Sequence, residues 1–276
     1  MDLLQTLIIA VIQGITELFP ISSVAHAVLT PYVFRWDLTP EFLKEHFLPF
    51  VVMLHLGTAV ALLGFFWRDW LDFIKSLFDS RAIAARRTLF LLVVGTIPAA
   101  VIGLVFEKLL KGIFSVAFFA GCFLIVNGVL LYVGEKLQKR GTKQVEELSY
   151  GQALLIGLAQ SLALIPGFSR SGASMVAGFW AGLTHEAAAR FSFLLAAPII
   201  LGASILEVPK LVHAPAGTMG NAVIGGVVSG IVAFFSVWAL MVWFRRHEVN
   251  AMRPFAIYCW IVGALVVVMV KVFDLG

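Results

Sequence analysis

The sequence is poor in charged residues and in cysteine. Charged side chains make up 13% of its 276 residues, about half of the ~25% usual for a soluble domain. The two cysteines, Cys122 and Cys259, lie far apart in apolar runs, which argues against both a disulfide and a cysteine-based metal site. Hydrophobic residues make up 61% of the chain. This composition excludes a water-exposed globular surface and predicts an all-α integral membrane protein.

Six apolar runs are long enough to cross the ~30 Å hydrocarbon core as helices, which takes ~20 residues each. The predicted transmembrane helices cover roughly residues 50–67, 88–106, 115–134, 190–207, 221–243 and 255–273. The polar stretches 68–87 and 135–147 are expected to be loops between them.

Two further apolar segments, residues 3–34 and 150–183, are interrupted by polar residues and a proline near their middle. Such segments do not fit simple spans. They fit re-entrant helical hairpins, whose irregular tips lie at membrane depth and are surrounded by protein or by a wet cavity.

The two halves of the chain are alike at an offset of about 146 residues, as a duplication requires. The matching tip positions are Gln13 with Gln160, Pro20 with Pro166, and Ser23 with Ser169. We therefore predict two repeats in one membrane domain, residues 1–140 with hairpin 1–34 and residues 150–276 with hairpin 150–183. Three spans per repeat invert the second repeat relative to the first, and inverted repeats with broken helices bind their ligand near the midplane.

The basic residues set the expected orientation. With the 68–87 loop in the cytoplasm, twelve of the 20 Lys and Arg residues lie in inside loops and six in outside loops, as the positive-inside rule requires. Both termini then lie outside, the first hairpin enters from outside, and the second enters from the cytoplasm. Because these charges serve orientation, we expect no nucleic-acid partner.

The second tip, residues 166–174, has the composition of an anion site. Arg170 carries a permanent charge, Ser169 and Ser171 supply hydroxyls, and the helix that starts near Ser171 points its N–H groups back at the tip. A guanidinium beside a helix N-terminus is a typical phosphate site. The alternatives are a Ser/Gly-rich packing turn and a structural ion pair between Arg170 and Glu17, two charges that are expensive within a membrane.

The first tip combines a carboxylate, hydroxyls and an imidazole. Gln13 and Glu17 share one helix face, Ser22 or Ser23 is expected to cap the next helix, and His26 follows on the serine side. A serine near an imidazole and a carboxylate indicates an activated nucleophile. The alternative is a capping serine with a buried, hydrogen-bonded histidine.

His55 and Asn127 are single polar residues within predicted spans. We interpret each as the partner in an interhelical hydrogen bond.

Residues 13–26, Gln-Gly-Ile-Thr-Glu-Leu-Phe-Pro-Ile-Ser-Ser-Val-Ala-His, and residues 166–172, Pro-Gly-Phe-Ser-Arg-Ser-Gly, resemble the motifs of the undecaprenyl pyrophosphate phosphatase family, also called the bacitracin-resistance family. The resemblance extends over nearly the whole chain. It implies a hydrolase of the bacterial inner membrane that converts the C55 lipid diphosphate to the monophosphate carrier recycled in cell-wall synthesis. It also implies a divalent cation, Mg²⁺ or Ca²⁺, as cofactor.

The resemblance assigns catalytic roles to Glu17, Ser22, Ser23, His26 and Arg170. It assigns diphosphate binding to Ser169, Arg170, Ser171, Gly172 and Ser174. Gln13 stands where many members have glutamate, so the metal site expected at Gln13 and Glu17 has one carboxylate fewer.

The expected reaction is hydrolysis of the terminal phosphoanhydride of undecaprenyl diphosphate, with the site open to the outer face. Ser23 or Ser22 is the expected nucleophile, with His26 and Glu17 handling protons; His26 as the nucleophile stays open. The expected partners are the lipid substrate, the bilayer and a second copy of the chain. The alternative function is a transporter or flippase of a polyprenyl phosphate lipid, since inverted repeats with broken helices are common in transporters.

Overall fold

The computed structural model describes residues 1–106, 117–136, 141–247 and 249–273. Regular structure within these ranges is helical. The α-helices are α1 (Leu3–Thr16), α2 (Ser23–Val33), α3 (Phe47–Phe65), α4 (Trp67–Ser76), α5 (Ile83–Val105), α6 (Ala117–Lys136), α7 (Tyr150–Gln160), α8 (Arg170–Trp180), α9 (His185–Glu207), α10 (Thr218–Arg246) and α11 (Arg253–Phe273).

Six of the described helices are long and apolar enough to cross a membrane: α3, α5, α6, α9, α10 and α11. The prediction of an all-α membrane protein with six spans is therefore confirmed. The spans that contain α3 and α9 extend furthest beyond the predicted apolar runs, because a π-helix, Phe42–His46, precedes α3 and a 3₁₀-helix, Val208–His213, follows α9.

The stretch 68–87 was predicted to be a loop. This is wrong for residues 68–76, which form most of α4, and for residues 83–87, which form the start of α5. The apolar residues of α4 recur at helical spacing, so the helix buries Phe73 while Arg68, Asp72 and Lys75 stay exposed. The high charge of the stretch concealed this amphipathic pattern. In the other predicted loop, residues 137–140 lie outside the described residues.

Both interrupted segments consist of two short helices joined by a break. In the first, α1 ends at Thr16, the chain turns, and α2 begins after its N-cap Ser22. In the second, a 3₁₀-helix, Ser161–Leu164, follows α7, and α8 begins after its N-cap Ser169. A proline lies in each break, where the missing N–H costs no helical hydrogen bond.

Two ion pairs between helices lie at the same end of the molecule. Arg190, near the start of α9, pairs with Asp69 of α4. Arg245, at the end of α10, pairs with Glu186 of α9 at 2.8 Å. The 68–87 segment, the start of α9 and the end of α10 therefore lie on the same side.

The N-terminus lies at the opposite end of α10. Asn221 Nδ2, in the first turn of α10, donates a hydrogen bond to the carbonyl oxygen of Met1 at 3.1 Å. Because α10 is one of the spans, Met1 and the 68–87 segment lie on opposite sides of the helical layer.

Glycines allow the helices that surround the two breaks to approach closely. A Cβ atom at Gly57 of α3 would lie 1.8 Å from the carbonyl oxygen of Gly226 of α10. A Cβ atom at Gly157 of α7 would lie 2.2 Å from the carbonyl oxygen of Gly95 of α5. Such close backbone contacts are typical of helix packing in membranes, where small residues form the interface.

Candidate active site

The two helix breaks touch each other. Arg170 Nη2, in the first turn of α8, lies 3.2 Å from Glu17 Oε1, just beyond the end of α1. Asn127 joins the breaks a second time, because its Nδ2 donates to the Pro20 carbonyl oxygen and its Oδ1 accepts from the Ser169 N–H, both at 3.0 Å. Asn127 lies near the middle of α6, so the breaks meet at about half the height of a span.

Glu17 is the centre of this contact. Its side chain is buried, and its Oε2 accepts hydrogen bonds from Ser23 Oγ at 2.6 Å and from Gln13 Nε2 at 3.2 Å. His55 Nε2 lies 3.1 Å from the same oxygen. These partners offset the cost of burying a carboxylate, which is several kcal/mol when it has none. The short contact makes Glu17 the group best placed to accept the Ser23 proton.

Ser22 has a capping role and an unusual backbone. Its Oγ accepts a hydrogen bond from the Ala25 N–H at 3.4 Å. Its φ is +66°, a value that residues other than glycine rarely adopt. Backbone strain of this kind often occurs at functional sites, and here it turns the chain so that Ser23 follows directly at the start of α2.

His26 is turned away from Glu17 and toward α11. Its Nδ1 lies 2.7 Å from the Ser22 carbonyl oxygen, and its Nε2 lies 2.8 Å from the Tyr258 hydroxyl. The imidazole also stacks on the Tyr258 ring. The structure therefore does not bring His26 together with the carboxylate and Ser23, as the first-tip pattern suggested, and its catalytic role stays a prediction.

Arg170 presents one edge of its guanidinium to Glu17. Nη1 donates to the Ser192 carbonyl oxygen at 3.1 Å, while Nη2 faces Glu17. Nε is buried, with no hydrogen-bond partner among the described residues. The Nε–Nη2 edge thus has a single partner, which leaves it suited to a second acceptor.

Ser171, Gly172 and Ser174 hold the second break in place. Ser171 Oγ donates to the Phe19 carbonyl oxygen at 3.2 Å, and Ser174 Oγ donates to Ser192 Oγ at 2.7 Å. Gly172 packs against Pro20 of the first break. Of the residues predicted to bind the diphosphate, only Ser169 and Arg170 line the cavity described next. The diphosphate contacts of Ser171, Gly172 and Ser174 stay a prediction.

A cavity of about 530 Å³ opens beside this cluster. One end is polar and is lined by Glu17, Ser22, Ser23, His55, Gln160, Ser169 and Arg170. The remaining walls come mainly from α3, α5 and α9 and are mostly apolar, with residues such as Val51, Ala99, Gly103, Ile200 and Leu206. Two polar residues, Thr96 and Glu207, also line them. A few polar groups at one end of an apolar cavity suit an amphiphile with a charged head and a hydrocarbon tail.

The residues predicted to hold a metal do not form a cation cage. The described part of the chain has no group of three or more His, Cys, Asp or Glu side chains that could hold an ion. Gln13 Oε1 is buried and has no hydrogen-bond partner in the part of the chain that the structure describes, but Gln13 is not part of the cavity lining. Gln13 and Glu17 alone fall well short of the ~6 oxygen ligands that Mg²⁺ or Ca²⁺ takes. The divalent cation stays a prediction.

His55 is the site residue that the sequence interpretation missed. The predicted interhelical contact is present, but its partner is Glu17 and the ring lines the cavity. The only sequence signal was a polar residue within an apolar span, a feature that is functional by default in membranes. Asn127, given the same interpretation, does join helices, as its contacts to both breaks confirm.

Known proteins resemble this sequence over nearly the whole chain. A family model described as bacitracin resistance protein BacA matches residues 6–265. A protein named undecaprenyl-diphosphatase 2 from Oenococcus oeni is 52% identical over 95% of this chain and 97% of its own length. A protein of the same name from Chromobacterium violaceum is 45% identical over 96% of this chain and 98% of its own length. An undecaprenyl-diphosphatase from Acidiphilium cryptum is 44% identical over 97% of this chain and 98% of its own length.

Proposed function

Because the chain belongs to the bacitracin resistance protein BacA family, we infer that it acts as its relatives are named, as an undecaprenyl-diphosphatase. It is a multi-pass membrane hydrolase that converts undecaprenyl diphosphate and water to undecaprenyl phosphate and inorganic phosphate. Roles in recycling the lipid carrier for cell-wall synthesis and in bacitracin resistance follow from the family. The observation that carries the proposal is the Ser23–Glu17–Arg170 cluster at the polar end of an apolar cavity.

The cavity supports a specific pose of the substrate. The prenyl chain lies along the apolar walls of α3, α5 and α9, and the diphosphate lies at the polar end. Arg170 binds the terminal phosphate through its Nε–Nη2 edge, in the bidentate geometry that guanidinium and phosphate prefer. The N-terminus of α8 adds unpaired backbone N–H groups and the positive end of its dipole.

We propose Ser23 as the nucleophile. Glu17 Oε2 accepts the Ser23 proton while Ser23 Oγ attacks the terminal phosphorus, and the bond from that phosphorus to the bridging oxygen breaks. Undecaprenyl phosphate leaves with the bonding electrons. Water then attacks the phosphoserine, the Ser23 oxygen leaves and regains a proton from Glu17, and inorganic phosphate is released. Positioning and charge stabilisation contribute most of the catalysis in phosphoryl transfer.

The finer assignments are also proposals. We place the protein in the bacterial inner membrane, with both termini outside and the site open to the outer face. The position of Met1 opposite the 68–87 segment supports this orientation. The two breaks, which meet from different halves of the chain, support the inverted repeat of residues 1–140 and 150–276. A divalent cation and a homodimer are proposed from the resemblance alone.

Phosphate release from undecaprenyl diphosphate by the purified chain in detergent tests the function. Arg170→Ala should lower kcat by at least about 10²–10³-fold, the cost of losing one group that stabilises transition-state charge. Glu17→Gln should lower kcat by about 10²–10⁴-fold, the contribution of a general base. Ser23→Ala should prevent any phosphoserine from being trapped. Arg81→Ala, in the exposed segment after α4, serves as the matched control and should retain the wild-type rate.

Two results would contradict the proposal. One is wild-type release by the Arg170 and Glu17 variants. The other is tight binding of the lipid by the wild-type protein with no phosphate release, which would favour a polyprenyl phosphate transporter or flippase.

A further inference from the structure

We propose that His55 is the positioning residue for Glu17 during the reaction: it holds the carboxylate over Ser23 when Arg170 turns to the diphosphate. This inference rests on the proposed function and adds a residue to it. It is carried by the contacts of His55, by those of Arg170, and by the position of both side chains at the polar end of the cavity.

The His55 ring is fixed at both nitrogens. Nδ1 lies 2.8 Å from the carbonyl oxygen of Val51, one turn earlier in α3. Nε2 lies 3.1 Å from Glu17 Oε2. Because the Val51 carbonyl can only accept, Nδ1 carries a proton, and the second proton lies between Nε2 and the carboxylate. The ring therefore stays bonded to Glu17 whichever of the two atoms holds that proton.

The two basic partners of Glu17, Arg170 and His55, differ in the other contacts that they can make. Arg170 has a long side chain, and its Nε–Nη2 edge faces only Glu17. A diphosphate in the cavity offers that edge a doubly charged acceptor, so the arginine exchanges the carboxylate for the phosphate. His55 is a short side chain held by its own helix, and it has no such freedom.

The exchange would leave Glu17 without a basic partner if His55 were absent. Glu17 would then keep only the neutral donors Gln13 Nε2 and Ser23 Oγ. A buried carboxylate without a basic partner is destabilised, and the side chain would turn away from Ser23 or take up a proton. With His55 in place, Oε2 keeps both the imidazole and the Ser23 hydroxyl as neighbours. The carboxylate then stays aligned to accept the serine proton.

Steady-state kinetics on three variants tests the inference. His55→Ala should lower kcat by about 10–100-fold, the range found for residues that orient a functional group, with KM nearly unchanged because the phosphate is held by Arg170. His55→Gln keeps an N–H donor toward Oε2 and should recover part of the loss. Arg170→Lys should instead raise KM more than it lowers kcat, because lysine keeps the charge but loses the bidentate edge that binds the phosphate.

Thr58→Val is the matched control. Thr58 lies on the same helix, is fully buried, and its hydroxyl is bonded within α3 to the His55 carbonyl oxygen at 2.7 Å. This variant should keep the wild-type kcat. A parallel fall in Thr58→Val, a folded His55→Ala variant with wild-type kcat, or an effect confined to KM would each overturn the positioning role. A wild-type protein that releases no phosphate would instead refute the proposed function.

Discussion

At the scale of single residues, the site depends on polar groups that each serve two neighbours. Glu17 connects the first break to the second through Arg170 and to α3 through His55. Asn127 uses both ends of one amide to bind a backbone group in each break. In a membrane interior such groups have no water to replace a lost partner. The site and the fold are therefore stabilised by the same contacts.

Replacing Asn127 tests this dependence. Asn127→Leu should destabilise the protein. The Ser169 N–H would be left buried and unpaired, and the Pro20 carbonyl oxygen would keep only the long contact to Cys259 Sγ at 3.9 Å; an unpaired buried group costs about 1–3 kcal/mol. The melting temperature in detergent should fall by roughly 2–4 °C for each kcal/mol lost. Asn221→Leu is the control, since its amide binds Met1 at the half-buried end of α10, and its effect should be much smaller. Equal melting temperatures for the two variants would contradict the bridging role.

At the scale of helices, close packing brings α3 to the site. His55 reaches Glu17 from α3, and α3 makes its most extensive helix contact with α10. The contact is close because Gly57 and Gly226 lie face to face without side chains. The catalytic geometry therefore depends on glycines that have no polar group to contribute.

Alanine substitutions at two glycines of α3, Gly57 and Gly64, distinguish the effect of close helix packing from that of helix propensity. Gly57→Ala should lower stability by about 1–3 kcal/mol or more, because its Cβ would meet the Gly226 backbone and the helices would have to separate. Gly64→Ala should be neutral or slightly stabilising, because a Cβ there meets open space and alanine favours the helix by roughly 0.5–1 kcal/mol. Thermal unfolding of both variants in detergent measures the difference. A Gly57→Ala variant as stable as Gly64→Ala would refute the close contact.

At the scale of the whole molecule, the two ends differ in charge and in contacts. One end carries the ion pairs of Arg190 with Asp69 and of Arg245 with Glu186. The other end carries Met1 against the start of α10. Basic residues concentrate on the cytoplasmic side of membrane proteins. The end that contains Arg190 and Arg245 is therefore expected to face the cytoplasm.

Labelling of single cysteines tests this orientation. In a background in which Cys122 and Cys259 are replaced by alanine, Ala216→Cys should react with a membrane-impermeant maleimide in intact cells. Ser80→Cys should react only after the inner membrane is permeabilised. The cysteine-free parent is the control for background labelling. The reverse labelling pattern would place the N-terminus in the cytoplasm and the opening of the site on the cytoplasmic face, which would contradict the proposed orientation.

Much of the candidate site could be predicted from the two motifs. Glu17, Ser23 and Arg170 do meet, because each lies at a proline-containing break whose position local sequence indicates. The contact partners of these residues could not be predicted from the motifs. His26 was expected beside the serine and the carboxylate, but the direction of its ring depends on Tyr258 of α11, more than two hundred residues away. Ser171 and Ser174 were expected at the phosphate, but the other break and α9 take up their hydroxyls.

Composition and periodicity by themselves determined the membrane class, the six spans, the two helix breaks and the charged residues that must lie in a protected site. These properties follow from the free energy of transferring each segment from water into lipid, which depends largely on the residues of that segment alone. Only the tertiary structure decided that His55 and not His26 contacts Glu17, that Asn127 joins the breaks, and that α3, α5 and α9 enclose an apolar cavity. Those facts depend on how distant helices pack and rotate against one another, and no local pattern specifies that.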